Sequence, residues 1–153
     1  MSDLRQVIKK YLESRNVMQL ASVVDGQPWV CNLHYYSDDD LNIYWISTEA
    51  RRHSVEIKQN QKVAAAVLVH ENTPEEKYII GLSIEGTAEL LGQDPAGQIS
   101  QKYTEKLQKP AQLMADIKSG KNPHKFYLLK PTKFMLCDTK EFPDAPWQEL
   151  RIN

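Results

Sequence analysis

Asp25-Gly26 stands between two runs rich in β-branched and apolar residues, Val17–Val24 and Trp29–Tyr36. Asp-Gly in that setting is the strongest short signal for a two-residue hairpin, because a type I′ turn needs positive φ at both of its central positions. The chain is therefore expected to open its sheet with an antiparallel pair. In the second run Trp29, Cys31, Leu33 and Tyr35 share one face, and Val30, Asn32, His34 and Tyr36 share the other. Both faces carry apolar bulk, which predicts a barrel wall covered on its outside.

The remaining chain extends this pattern. Leu4, Val7, Ile8, Tyr11 and Leu12 form one apolar helical stripe that Ser2 or Asp3 can cap. Ser37-Asp38-Asp39-Asp40 reads as an acidic turn, Asn42–Ser47 as a third strand, and Glu49–Asn60 as a half-exposed helix. The continuous apolar run Val63–Val69, inside Lys62–His70, predicts a fully buried strand, and Glu71–Lys77 a charged loop. Tyr78–Leu91 is long enough for a bent strand, with Gly81 and Gly86 as candidate sites for a bulge or corner. Asp94-Pro95 is placed to start a helix carrying Ile99, Tyr103 and Leu107. A second helical segment with Leu113, Met114 and Ile117 follows Pro110 and closes at Gly120. Two strands, His124–Lys130 and Lys133–Asp138, are expected on either side of Pro131-Thr132, and Thr139–Asn153 as an irregular arm. Six or seven antiparallel strands, an N-terminal helix and a helical insert describe a mainly-β α+β fold around a small barrel.

Composition narrows the classes of function. A chain of 153 residues suits a single domain spanning 1–153. The 19 Lys+Arg against 20 Asp+Glu leave no basic excess to draw it to nucleic acid or an anionic membrane. Any anion site must be local. Cys31 and Cys137 form neither a disulfide framework nor a paired-cysteine metal motif, and His34, His53, His70 and His124 show no metal-ligand spacing, so no metal site is expected. The longest apolar run is too short to cross a bilayer, and a cytoplasmic location is expected.

The segment with chemical content is Tyr44-Trp45-Ile46-Ser47-Thr48-Glu49-Ala50-Arg51-Arg52-His53-Ser54. It leads from a strand through two hydroxyl residues into a helix start dense in cations. Helix N-termini offer unpaired N–H groups, and guanidinium forks grip phosphate oxygens, so a phosphate suits this turn. The alternative is a solvated helix start in which Arg51 and Arg52 pair with Glu49 or Glu56.

The order of these elements resembles the pyridoxamine 5'-phosphate oxidase-like split barrels that bind FMN. The shared order is the helix, Leu-Ala-Ser-Val-Val-Asp-Gly-Gln-Pro-Trp-Val, the acidic turn, the strand ending at Ser47, Arg51-Arg52-His53, and Asn60-Gln61-Lys62-Val63-Ala64. The resemblance is clearest from Val17 to about Leu90 and recovers at Phe126–Lys133. It implies an FMN site in which Cys31, Asn32, Leu33, His34, Tyr35 and Tyr36 run along the flavin. Ile46, Ser47 and Thr48 would border the ribityl chain and phosphate, while Arg51, Arg52 and His53 hold the phosphate. His53 stands where the family has lysine, and Gln61 where it has proline.

Trp147-Gln148-Glu149-Leu150-Arg151 resembles the ending of true pyridoxamine phosphate oxidases, and Trp147 either stacks on the flavin or anchors the arm. The Arg-x-His segment that holds substrate in those enzymes has no counterpart in Thr139–Pro146. The resemblance thus implies an FMN-dependent oxidoreductase of unknown substrate, working as a homodimer. Flavin binding without turnover, in stress response, storage or sensing, is the rival reading. A split barrel that binds haem or a deazaflavin instead is the third.

Overall fold

In the computed structural model, which describes residues 3–70 and 78–153, Asp25 and Gly26 both take positive φ, 53° and 76°. They join β1 (Val17–Val24) to β2 (Gln27–His34) in unbroken antiparallel register from Val17↔His34 to Val24↔Gln27. Before them lies α1 (Leu4–Ser14), whose cap is Asp3: its carboxylate accepts the Arg5 N–H at 3.0 Å. Ser2, the other candidate cap, and the loop expected at 71–77 lie outside the described residues.

The other strands are β3 (Tyr36–Ser37), β4 (Ile43–Ser47), β5 (Lys62–His70), β6 (Ile80–Gly92), β7 (Lys125–Asp138) and β8 (Trp147–Arg151). Seven of them follow the path β2-β1-β5-β6-β7-β4-β3, and β8 pairs with β7 off that path. The two strands at the ends of the path, β2 and β3, are consecutive in the chain and separated only by Tyr35. The sheet therefore curls until its edges meet at one residue, giving a mainly-β antiparallel half-barrel of the split-barrel kind. Tyr35 is fully buried at that seam, its hydroxyl donating to the Leu12 carbonyl at 2.6 Å and its N–H to the Asn16 carbonyl at 3.0 Å. Inside the curl Met18, Leu20, Val67, Leu82, Ile84, Phe134 and Leu136 pack against Ile8 and Leu12 of α1.

The helical insert, α3 (Ile99–Leu107) and α4 (Ala111–Ser119), packs outside β4 and β7. Tyr103 meets Phe126 edge-on at 5.5 Å, and Ile46, Tyr36 and Leu91 border the same cluster. The helix between β4 and β5 is α2 (Arg52–Gln59), shorter than the expected Glu49–Asn60.

Several expectations need correction. Pro131-Thr132 does not end a strand: β7 runs through it because Gly86 faces Pro131 while Glu85 faces Lys133, so Thr132 is the extra residue of a bulge. A proline is tolerated there because the bulge relieves it of a ladder N–H. β5 is not buried on both faces; Val63, Ala65 and Val67 point inward, whereas Ala64, Ala66 and Leu68 are exposed. β2 is likewise uncovered on its outside, as befits a strand at the end of the path: Val30 and Asn32 are exposed. The C-terminal arm is not irregular throughout, since Trp147–Arg151 extends the sheet as β8. Asp94-Pro95 does not open α3, which begins after Gln98. Gly81 and Gly86 are both confirmed beside bulges, the first opposite a register shift between Leu68 and His70.

Candidate functional site

β4 delivers the chain to Ser47, which is buried and lies opposite Lys125 in the sheet. Lys125 forms an ion pair with Glu49, and the Arg51 N–H donates to the Thr48 carbonyl at 3.3 Å. These contacts turn the chain out of the sheet and start α2. Arg51 caps that helix with an extended backbone and without a side-chain hydrogen bond. The first-turn N–H groups of α2 are thus not satisfied by a capping side chain, the arrangement that suits an anion.

Two residues of α2 one turn apart, Arg52 and Glu56, reach β1 and β2. Arg52 Nε donates to Glu56 Oε2 at 2.6 Å, and Ser22 Oγ donates to Glu56 Oε1 at 2.8 Å. The Arg52 guanidinium also lies 4.1 Å from the centroid of the Trp29 ring, a cation–π contact. Ser22 and Trp29 are direct partners across the β1–β2 ladder, so one sheet position presents both to α2. Arg52 and then Ser22 hold the Glu56 carboxyl below the usual carboxylate value. The pairing of Arg52 with Glu56, the alternative reading of this turn, is therefore realised, and the rest of the guanidinium stays at the surface, 47% exposed.

His53 turns inward. It is 6% exposed, its Nε2 has no hydrogen-bond partner, and burial, followed by the nearby Arg51, lowers its pKa below 6.5. A buried imidazole nitrogen without a partner costs free energy unless something fills that role. Arg52 and His53 thus leave the same uncapped first turn of α2 in different directions, the guanidinium toward the surface beside Trp29 and the imidazole inward.

The other expected residues lie elsewhere. Cys31 and Leu33 are half-buried against the barrel core, and burial pushes the Cys31 thiol up. Asn32 is exposed and accepts from Gln19 at 2.9 Å. His34, exposed, has Nδ1 3.4 Å from Lys109 Nζ, and Lys106 Nζ lies 4.0 Å from the Tyr35 ring centroid, so α3 overlies this end of β2. Tyr36 stacks on Tyr44 at 5.9 Å. Trp29 and His34 are separated along β2 by roughly 17 Å at strand rise. Ile46 faces the helical insert, and Thr48 is partly exposed. Trp147 is 66% exposed at the start of β8 and pairs with Cys137, at the opposite end of β7 from Lys125 and Ser47.

Sequence reasoning missed Trp29 and Ser22 as neighbours of the cationic turn. The signal was the hairpin register, which places both on one face. Among the described residues no group of three His, Cys, Asp or Glu side chains is arranged to hold a metal ion, and no helix is long and apolar enough to cross a membrane.

A family model described as pyridoxamine 5'-phosphate oxidase matches residues 4–137. No curated protein matches the chain. Among solved structures, the chain is similar to an FAD-binding protein from Mesorhizobium loti, at 24% identity over 88% of this chain and 92% of that one, TM-score 0.61. It is also similar to an F420 reductase, at 25% identity over 82% and 94% of the two chains, TM-score 0.60. A heme binding protein from Mycobacterium smegmatis shares the fold at 12% identity and TM-score 0.73; 99% of this chain covers 59% of that one. With the matched segment running from α1 to the end of β7, the chain belongs to the pyridoxamine 5'-phosphate oxidase family.

Proposed function

We propose that the chain binds FMN with its phosphate at the start of α2 and acts as an FMN-dependent oxidoreductase. The observation that supports the reading is that one helix turn, at the start of α2, carries a surface-exposed guanidinium, no capping side chain and a buried imidazole nitrogen with no partner. Arg52 and the first-turn N–H groups grip the phosphate; His53 Nε2 donates to it, and Ser47 lines the approach from β4. Bound FMN supplies the hydride and electron transfer, so the chain needs no nucleophilic triad. What the protein contributes is binding, orientation and exclusion of water.

The reading includes a homodimer. Trp147 lies beside Cys137, near the last residues of β7, and Ser47, which leads into α2, beside Lys125 at its first, so a flavin touched by both draws on two copies. The exposed faces of Ala21, Ala64, Ala66 and Ser83, flanked by Val30 and Met135, line a shallow cleft of about 480 Å³ on the outer sheet, a surface of small side chains on which a second sheet can lie close. Pyridoxamine phosphate oxidation is not part of the proposal, because Thr139–Pro146 carries neither Arg nor His.

The test is an FMN titration of the purified protein followed by flavin absorbance, with Arg52→Ala beside it. Loss of hydrogen bonds to a charged group predicts affinity weakened by about 10- to 100-fold in the variant. A wild-type protein that takes up no FMN overturns the reading. Turnover of a reduced nicotinamide by the loaded protein is expected; binding without turnover of any donor favours the storage or sensing role. The likeness to an F420 reductase supports a second reading, a deazaflavin in place of FMN, and the same titration with that cofactor separates the two.

A further inference from the structure

Glu56 is the unusual member of the cationic turn. Its carboxylate is only 10% exposed, while the guanidinium it pairs with is 47% exposed. Burying a carboxylate is costly, and an apolar side chain at this place would dock α2 on the sheet at least as well. Both carboxylate oxygens are nevertheless committed, one to Ser22 of the β1 wall and one to Arg52 Nε. The contact through Nε leaves the terminal nitrogens of the guanidinium for a second anion, and the Trp29 ring, 4.1 Å away, confines its plane from another side. A side chain with four rotatable bonds is thereby held in one place beside the uncapped turn of α2.

We propose that Glu56, anchored by Ser22, is a positioning residue that fixes the Arg52 guanidinium over Trp29 for capture of a phosphate group. The inference rests on the reading of α2 as a phosphate site and adds its origin: the orientation of Arg52 is set from the barrel wall, not by the ligand. Preorganisation of this kind lowers the entropy lost when the anion arrives.

The experiment compares FMN with riboflavin, which lacks the phosphate, on the full chain by fluorescence titration. The proteins are wild type, Glu56→Gln, Ser22→Ala, Arg52→Ala and the double variant Glu56→Gln/Arg52→Ala. Glu56→Gln is expected to weaken FMN about tenfold and Ser22→Ala by a smaller factor, with riboflavin affinity unchanged. In the Arg52→Ala background, Glu56→Gln is expected to change FMN affinity by less than about twofold, because its effect passes through the missing guanidinium. Quenching of Trp29 by the guanidinium, read against Trp29→Phe, should fall in Glu56→Gln.

Wild-type FMN affinity in Glu56→Gln, with Arg52→Ala impaired, overturns the positioning role and leaves the phosphate site standing. An equal loss of FMN and riboflavin, persisting without Arg52, also overturns it, since that marks a general packing defect. If Arg52→Ala binds FMN as wild type does, both the phosphate site and the positioning role fail. Should Glu56→Gln not fold, Ser22→Ala alone carries the comparison.

Discussion

Tyr11 of α1 donates its hydroxyl proton to Asp138 Oδ2 at 2.5 Å, bridging residues 127 positions apart. Asp138 is fully buried, and its other oxygen accepts the N–H groups of Lys140 and Glu141 at 3.0 and 2.8 Å. One carboxylate thus ties the first helix to the end of β7 and to the turn leading into β8. Tyr11→Phe removes a hydrogen bond to a charged group and is expected to cost about 1.5–3 kcal/mol, measured by urea denaturation. A variant within 0.5 kcal/mol of wild type, roughly the scatter of neutral surface changes, would refute this account.

The pH dependence of stability carries two opposite contributions. Burial lowers Lys106 from 10.5 to about 8. The unfolded chain then binds the extra proton between those values, so this contribution rises as pH increases from about 8 to 10.5. Lys106→Met is expected to remove that rise and to raise Tm at pH 7 by about 2–4 °C, after discounting for solvent screening. The tyrosines act in the other direction: burial lifts Tyr11, Tyr35 and Tyr44 above 10.0 and Tyr103 to about 12. Their contribution is complete below pH 10.0 and is lost as pH climbs through the folded values, so phenolate absorbance should appear together with unfolding.

Gly86 is placed where a Cβ would stand 2.3 Å from the Lys130 carbonyl oxygen, a backbone atom fixed in the sheet. Gly86→Ala is expected to destabilise by about 3 kcal/mol or more, because the bulge must open to admit the methyl group. Gly81→Ala, whose new methyl would meet only the Val67 carbonyl at 3.7 Å, is the control. Equal denaturation midpoints for the two would contradict the geometry.

On the proposed placement of the phosphate at α2, His53 gives binding a proton dependence. Burial and Arg51 favour the neutral ring in the free protein, whereas a bound phosphate favours the charged one. Binding therefore takes up a proton, and FMN affinity is expected to fall as pH rises from about 6 to about 8. The slope should differ from that of His53→Gln by up to one proton; identical slopes would remove His53 from the site.

Much of the barrel was legible because its signals are local. Asp25-Gly26 sets the first hairpin, and the α1 stripe and the glycines beside the bulges were readable from spacing. The failures arose where a signal depended on what lay opposite. Pro131 looked like a strand end until Gly86 was placed across from it. Ala64 and Ala66 looked buried because alanine suits a core or an open surface equally. The cation-rich start of α2 could be recognised from Ser47, Arg51, Arg52 and His53. Ser22 and Trp29 could not, because their part in it depends on α2 folding back over the hairpin.

Strand β7 has one further consequence. It holds Ser47 and the start of α2 near its first residues, through β4, and Trp147 near its last, through β8. A ligand that touched both ends would bind with a stoichiometry set by chain pairing, so its apparent affinity would improve with protein concentration and level off once every chain had found its mate. Dilution at a fixed ratio of ligand to protein would expose that dependence without any substitution.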